Sequence, residues 1–273
     1  MRDLLSIGTS RGCEMIGTGI GLGLSGFNLS RNLFSPLSIT GLQFWVDAAD
    51  ASTLYTDSGL TTLAVADGDV VGGWKDKSGN NRHAIQTDGT KKPLLKTSVQ
   101  NGRNAVRTDG VNDLLDLAYD SNGLSGFTLI CVVKKQGSPG TTYYGAITNY
   151  PNTVGLYVYG DTSLRLAGRP QTGGANDYSS GAVADPTLAH VFTGTYGNSI
   201  NTYVDGVLGT PAGPVSPAGA LACGTAWMIG PLTAAPSVFT ATNYCEILMY
   251  SSELSATNRQ LAESYLKAKW GTP

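Results

Sequence analysis

The stretch INTYVDGV at residues 200–207 constrains the fold of this chain more than any other. Its apolar and polar side chains alternate at every second position, which is the period of a β-strand with two different faces. Asp205-Gly206 closes the stretch, and Gly accepts the positive φ that a tight type I′ hairpin turn demands. Similar units recur along the chain, so residues 40–270 are predicted to form strands stacked into two sheets.

The composition agrees with a turn-rich, all-β protein. Only 14% of the 273 residues are charged and 36 are Gly, which disfavours a helical bundle. The formal net charge is −2 without clustered Lys or Arg, so no nucleic-acid partner is expected. The sequence shows neither an apolar run long enough to span a bilayer nor a secretory signal peptide, so membrane insertion and export by the usual route are not expected.

The strongest apolar run, at residues 127–133, is predicted to be a central strand covered on both faces. The predicted strands recur about every ten residues, a spacing typical of a sandwich or jelly roll. One helix is predicted over residues 258–269, with Ser255 as its N-cap. Its predicted packing stripe consists of Leu254, Leu261, Tyr265, Leu266 and Trp270.

Residues 1–39 have a different pattern. Gly occupies every second position from 17 to 23, with apolar or small residues between, so an extended chain would have one apolar face and one bare face. We interpret residues 1–39 as an assembly arm that adds to a partner's sheet, and residues 40–273 as the folded domain. A floppy Gly-rich tail is the alternative. The residues predicted to make the arm's contacts are Ile20, Leu22, Leu24 and Phe27.

Several stretches together resemble the concanavalin A-like lectin/glucanase superfamily, in its laminin-G-like branch that is common in phage and bacterial proteins. They include GWKDKSGNNRHA at 73–84 and YVDGV at 203–207. The full ordered set is residues 42–50, 73–84, 105–115, 127–133, 203–207 and 246–271. The resemblance implies an all-β, two-sheet antiparallel jelly-roll sandwich with a role in binding glycan or protein.

A single module of this kind behind a short Gly-rich arm resembles phage virion components. It implies a non-enzymatic protein of the virion surface, in head decoration or in a tail fibre that binds a receptor. The partners implied are other virion proteins, further copies of the chain held through the arm, and host-surface glycan. A glycan-binding adhesin of the lectin type is the alternative.

The glucanases of this superfamily use carboxylates spaced along one strand, which places them on one face. This chain has four Glu, at positions 14, 246, 253 and 263, and none has an acidic residue two positions away. The sequence therefore predicts no enzyme and no cofactor. A remote alternative is a hydrolase with an unrecognised site, which would draw on His83 or on His190 and Asp205.

Two sets of binding residues are predicted. Laminin-G-like modules often bind calcium through Asp and backbone carbonyls, which makes Asp76 and Asn80 weak candidates for a metal site. If a glycan is bound, Tyr side chains would stack on its sugar faces while Asn takes its hydroxyls. The candidates for that role are Tyr143, Tyr144, Asn149, Tyr150, Asn176 and Tyr178.

The four cysteines, at positions 13, 131, 223 and 245, form no close CxxC pair, so a zinc ribbon is not expected. Buried free thiols are favoured, because free Cys is among the most buried residue types. In an oxidising setting three disulfide pairings would remain open.

Overall fold

The computed structural model describes residues 34–137, 143–150, 154–160, 162–168, 177–212, 220–223, 226–232 and 238–273. They belong to one structural unit, Phe34–Pro273. The predicted arm contacts Ile20, Leu22, Leu24 and Phe27 lie outside the described residues, so the assembly arm stays a prediction.

The regular secondary structure of the described residues consists mostly of β-strands. In chain order they are β1 (Leu42–Asp47), β2 (Leu54–Tyr55), β3 (Gly73–Trp74), β4 (Ala84–Ile85), β5 (Leu94–Gln100), β6 (Arg103–Asp109), β7 (Leu115–Leu117), β8 (Phe127–Lys135), β9 (Tyr143–Tyr150), β10 (Val154–Tyr159), β11 (Ser163–Gly168), β12 (Asp177–Ala182), β13 (Ala189–Tyr196), β14 (Ile200–Val204), β15 (Val207–Leu208), β16 (Thr210–Ala212), β17 (Ala226–Ile229) and β18 (Ala241–Tyr250). The described helices are the α-helix α1 (Ala256–Trp270) and short 3-10 turns at Pro36–Ser38, Ala51–Thr53 and Gly89–Lys91.

The strands form two antiparallel sheets, as the sequence predicts. The eight-stranded sheet has the order β15-β14-β13-β8-β18-β6-β5, and β1 pairs with β18. The ten-stranded sheet has the order β16-β12-β11-β10-β9-β17-β7-β4-β3-β2. The all-β two-sheet sandwich with one C-terminal α-helix is therefore confirmed for the described residues.

Two hydrophobic cores hold the sandwich together. The larger core joins side chains of both sheets, including Phe127 and Phe192 from the eight-stranded sheet and Trp227 from the ten-stranded one. The smaller core joins the opposite face of the eight-stranded sheet to α1, with Leu248 and Trp270 among its members. The eight-stranded sheet is thus covered on both of its faces.

Strand β8 lies at the centre of this arrangement. It pairs with β13 on one side and β18 on the other, and its apolar residues are divided between the two cores. The prediction of a central strand covered on both faces is confirmed, because a strand in that position has no solvent-facing side to make polar.

The hairpin at residues 200–207 is also confirmed. Residues of β14 alternate between buried and half-buried, and Val204 pairs with Val207 across the turn. Asp205 and Gly206 both have positive φ, of 50° and 84°, as a type I′ turn requires.

The predicted helix begins and ends close to where the sequence places it. Ser255 accepts a hydrogen bond from the Asn258 N–H at 3.3 Å, and Gly271 ends the helix with a left-handed φ of 62°. The predicted packing stripe is wrong at Leu261, which is 47% exposed. The other predicted residues, Leu254, Tyr265, Leu266 and Trp270, do pack against the sheet, and Ala262 takes the place predicted for Leu261.

Within the described residues no helix has the length and apolar character needed to cross a membrane. The three described cysteines, Cys131, Cys223 and Cys245, are buried free thiols, as the sequence favours. Burial raises the pKa of each of these thiols, which keeps them protonated and unreactive.

Candidate functional site

A group of aromatic side chains lies on the outer face of the ten-stranded sheet. In β10 and β11, Leu156, Val158, Leu164 and Leu166 are fully buried in the core between the sheets. The intervening residues must point the other way, because successive side chains of a strand alternate between faces. Strand register therefore brings together Tyr143, Tyr157, Tyr159 and Arg165, which we call the tyrosine platform.

The platform side chains contact one another directly. The ring of Tyr143 lies 6.0 Å from that of Tyr157 and 5.2 Å from that of Tyr159, measured between centroids. The guanidinium carbon of Arg165 lies 4.1 Å from the centroid of the Tyr159 ring, a cation–π geometry. These contacts hold three rings and one cation in a fixed arrangement.

The platform is open to solvent. Tyr159 is 37% exposed, and Tyr143, Tyr157 and Arg165 are half-buried. Partly exposed aromatic rings that are already packed lose little conformational freedom when a ligand binds. Such a surface can take the flat C–H face of a sugar ring, while the Tyr hydroxyls and the guanidinium offer hydrogen bonds to its oxygens.

The structure separates the glycan-binding residues predicted from the sequence. Tyr143 belongs to the platform, whereas Tyr144 is 1% exposed and faces the core with its ring 6.2 Å from that of Phe192. Asn149 is also 1% exposed, so a bound sugar would not reach either residue. Tyr150 and Tyr178 lie in β9 and β12, and Asn176 falls outside the described residues.

Sequence reasoning missed Tyr157, Tyr159 and Arg165. The signal that could have found them is the run LYVY at 156–159, where Tyr alternates with Leu and Val. That alternation places both Tyr on the polar face of their strand. Only the strand register, however, shows that this face meets Tyr143.

The weak metal candidates serve the loop that contains them. Asp76 is buried, and its carboxylate accepts hydrogen bonds from the backbone N–H groups of Trp45, Ser78 and Arg82 at 2.9–3.0 Å. Asn80 donates to backbone carbonyls of β1. Among the described residues no group of three or more His, Cys, Asp or Glu side chains is arranged to hold a metal ion.

His190 and Asp205, the residues named for a remote hydrolytic site, are in direct contact. Nδ1 of His190 lies 2.6 Å from Oδ2 of Asp205, and Nε2 lies 2.6 Å from the backbone oxygen of Asp185. Both partners are acceptors, so both ring nitrogens carry a proton and the ring is an imidazolium. A ring in that state has no lone pair with which to act as a base. His190, which lies in β13, instead holds the turn of the β14–β15 hairpin in place through its hydrogen bond to Asp205.

This contact predicts a pH dependence of stability. Burial alone would lower the pKa of His190, but the hydrogen bonds to Asp205 and to Asp185 outweigh it and raise the pKa above its usual value of 6.5. The contact therefore contributes its full stability below about pH 6.5 and loses it as the pH rises through the folded-state pKa. For any titrating group, a pKa that differs by one between the folded and unfolded states changes the free energy of unfolding by at most about 1.4 kcal/mol. Urea unfolding at several pH values between about 5 and 9 measures this loss.

Variants of the two described histidines separate this effect from other titrations. The loss at rising pH should disappear in His190→Gln and persist in His83→Gln. His83 accepts a hydrogen bond from the Asp76 N–H, and burial lowers its pKa, so its contribution has the opposite sign. Identical pH profiles for the native chain and His190→Gln would contradict the assignment of an imidazolium.

A second group of polar side chains is buried between β1, β18 and α1. Asp47 and Glu246 face each other across the β1–β18 pair, and Lys269 of α1 contacts both of them. Its Nζ lies 2.7 Å from Oδ1 of Asp47 and 2.6 Å from Oε2 of Glu246. We call these three residues the Asp47–Lys269–Glu246 cluster.

Aromatic donors complete the surroundings of Glu246. Trp45 Nε1 and Tyr265 OH donate to Oε1 at 2.8 Å and 3.0 Å, and Trp270 Nε1 donates to Oε2 at 2.7 Å. Burial raises the pKa of Glu246, and the neighbouring negative charge of Asp47 raises it further, while Lys269 acts in the opposite direction. No sequence pattern indicates this pairing of acids, because the two carboxylates come from strands at opposite ends of the domain's sequence.

Comparison with known proteins shows the class of fold. No protein-family model matches this sequence, and no curated protein matches it. A Trypanosoma rangeli sialidase, in complex with 2,3-difluoro-KDN, matches with a TM-score of 0.54 and 13% identity over 85% of this chain and 33% of the sialidase chain. The similarity extends to two botulinum neurotoxins.

The receptor-binding domain of botulinum neurotoxin type G matches with a TM-score of 0.55 and 12% identity, over 86% of this chain and 54% of that one. Botulinum neurotoxin type C, which needs interaction with two ganglioside molecules to enter cells, matches with a TM-score of 0.53 and 9% identity, over 83% and 51% of the two chains. The chain thus spans about a third of the sialidase and about half of each neurotoxin structure. At these identities the similarity shows a shared β-sandwich fold.

These matches contradict the expected function. A non-enzymatic protein of a phage virion surface was predicted, but several of the matching structures are sialidases, which are enzymes, and two more are botulinum neurotoxin structures. The prediction that the chain is not an enzyme is contradicted by the same sialidases. The analogy failed because a Gly-rich segment beside a sandwich domain is not specific to phage, and one fold serves many functions. The alternative, a glycan-binding domain, agrees better with these neighbours.

Proposed function

We propose that this chain contains a glycan-binding domain of the concanavalin A-like lectin/glucanase superfamily, and that it binds sugar on the tyrosine platform. The observation that carries the proposal is the set of three Tyr rings and one guanidinium, in mutual contact and partly exposed on the outer face of the ten-stranded sheet. The neighbours add support, since one is a sialidase and another depends on gangliosides.

The physical argument rests on the chemistry of sugars. A pyranose ring has an apolar C–H face and a rim of hydroxyls, so it binds well where an apolar plane is edged by hydrogen-bonding groups. Tyr143, Tyr157 and Tyr159 each offer an apolar ring face, and the ring of Tyr143 is tilted by 60° and 53° to the other two, so a sugar would stack on one ring at a time. Arg165 donates up to five N–H bonds, and its position over Tyr159 restricts the orientation of its guanidinium.

The experiment is a glycan array with the native chain, followed by titration of the best glycan against variants. Tyr159→Ala and Tyr157→Ala should each weaken binding about tenfold or more, because aromatic contacts dominate such interfaces. Tyr159→Phe, which keeps the ring, should retain most of the affinity. Tyr55→Ala serves as the matched control, since Tyr55 is a half-buried Tyr in β2, at the other end of the same sheet.

Two results would overturn the proposal. The first is an array on which the native chain binds no glycan at high loading. The second is unchanged affinity in both Ala variants together with loss of binding in Glu253→Ala. That result would place the sugar in a polar pocket of about 530 Å³ lined by Gly126, Gly197 and Glu253 instead.

A further inference from the structure

The Asp47–Lys269–Glu246 cluster has the parts of a condensation site, and glycan binding does not use it. Lys269 presents one amine to two carboxylates, at 2.7 Å from Asp47 Oδ1 and 2.6 Å from Glu246 Oε2. An amine and a carboxyl group held at such a distance react as neighbours in one molecule, which removes the entropic cost of bringing them together. Because Cγ of Asp47 is bonded to Oδ1, the contact of Nζ with Oδ1 also brings the amine close to the carbon that it would attack.

The side chains of the cluster are largely shielded from solvent. Glu246 is fully buried, and the side chains of Asp47 and Lys269 are 5% and 15% exposed. The indoles of Trp45 and Trp270 and the phenol of Tyr265 enclose Glu246 and hold it by hydrogen bonds. Exclusion of water strengthens electrostatic effects inside the site and favours a reaction that releases water.

A second lysine contacts the other oxygen of Asp47. Nζ of Lys77 lies 2.9 Å from Oδ2 of Asp47 and 2.8 Å from Oδ2 of Asp50. Burial opposes the charge on Lys77, but the carboxylates of Asp50 and Asp47 outweigh burial and raise its pKa, so it remains an ammonium. A fixed cation at Oδ2 withdraws electrons from the carboxyl carbon and stabilises negative charge that develops there during attack.

We propose that Lys269 and Asp47 condense to form an intramolecular amide bond, with Glu246 as the proton relay and Lys77 as the oxyanion stabiliser. The Lys269 ammonium gives a proton to the Glu246 carboxylate, and Glu246 passes that proton to Oδ1 of Asp47. The free amine then attacks Cγ of the neutral carboxyl group, forming the N–C bond, and the single oxyanion that results at Oδ2 is stabilised by Lys77. Glu246 takes a second proton from the nitrogen and delivers it to Oδ1, and the C–Oδ1 bond breaks to release one molecule of water.

The condensation balances in atoms and in charge without any other reagent. An ammonium and a carboxylate become an amide and water, so one positive and one negative charge disappear together. Of the three protons on Nζ, one stays on the amide nitrogen and two leave with Oδ1. Glu246 is regenerated as a carboxylate, and the Oδ2 that becomes the amide oxygen keeps its contact with Lys77.

The bond would join the two ends of the folded domain. Asp47 ends β1, the first strand, and Lys269 lies in the last turn of α1, so the covalent loop would enclose residues 47–269. Closing a loop of that length restricts the unfolded chain strongly, and the benefit grows with loop length. Such a bond would keep the domain intact where its non-covalent contacts are lost.

Intact mass spectrometry of the denatured full-length chain tests the proposal. The native chain should be lighter than its sequence by one water. Lys269→Arg keeps the positive charge but has no amine able to form this bond, and Glu246→Gln lacks the relay, so both variants should show the full mass of their sequences. Protease digestion of the native chain should yield one branched peptide that joins Asp47 to Lys269.

The results of the mass measurement and of the digestion either support or contradict the amide bond. A native chain at the full mass of its sequence overturns the proposal, whatever the variants show, because the measurement does not depend on their folding. A branched peptide that links Lys269 to Glu246 overturns the assigned roles. Glycan binding is unaffected by either outcome, so this proposal and the proposed function stand or fall separately.

Discussion

Replacing Glu246 by Ala is expected to lower the free energy of unfolding by about 3–5 kcal/mol, because it leaves several buried donors without an acceptor. The Nε1 groups of Trp45 and Trp270 and the Tyr265 hydroxyl all donate to this carboxylate. The substitution also leaves a cavity between α1 and the eight-stranded sheet. Urea unfolding followed by tryptophan fluorescence measures the change.

Glu253→Ala is the matched control for this variant. Glu253 is half-buried, and its carboxylate accepts one backbone hydrogen bond, from Asn198 at 3.0 Å. Loss of a single such bond costs about 1 kcal/mol. Equal losses in the two variants would mean that Glu246 is not the anchor of α1 that its contacts indicate.

Local patterns in the sequence are sufficient for the hairpin at residues 200–207 and for the central strand β8, but not for strands such as β5 and β12. The alternation in residues 200–204 and the positive φ of Asp205 and Gly206 follow from side-chain period and turn chemistry alone. Strand β8 could be predicted as central because a strand buried on both faces must be apolar throughout. The conformation of these elements is determined by residues that are adjacent in the sequence.

The buried face of α1 could be predicted only in part from its hydrophobic residues. The predicted hydrophobic stripe is right at Leu266 and Trp270 but wrong at Leu261, and the buried face also carries the charged residues Arg259 and Glu263. These two form an ion pair at 2.5 Å, and Glu263 accepts a hydrogen bond from Thr193 of β13. Buried charges of this kind are stable only as pairs, and the partner strand cannot be known before the fold.

The two candidate sites also depend on contacts between residues that are far apart in the sequence. The tyrosine platform requires the register of β9, β10 and β11, and a shift of one residue would turn each Tyr toward the other face. Tyr143 and Tyr144 look alike in the sequence, but only Tyr143 faces solvent. The Asp47–Lys269–Glu246 cluster requires the pairing of β1 with β18 and the docking of α1.

Function follows from such sites rather than from the fold. The same sandwich is found in a sialidase and in neurotoxin domains, so a module of this fold behind a Gly-rich segment does not by itself indicate a phage protein. What distinguishes this chain is where its exposed aromatic groups and buried charges lie. A variant that disturbs the support of the platform therefore bears on both the fold and the proposed function.

Leu166→Ala is expected to destabilise the domain by about 2–5 kcal/mol, whereas Arg165→Ala, one residue earlier in β11, should change the stability far less. Leu166 is fully buried between the sheets, where its methyl groups would lie 2.9–3.0 Å from a Cβ at Gly194, so its removal leaves a cavity. Arg165 is half-buried on the outer face, and its loss should weaken glycan binding instead. Urea unfolding and glycan titration of both variants separate the two faces. If Arg165→Ala destabilised the domain as much as Leu166→Ala, Arg165 would belong to the core and the tyrosine platform would not be a binding surface.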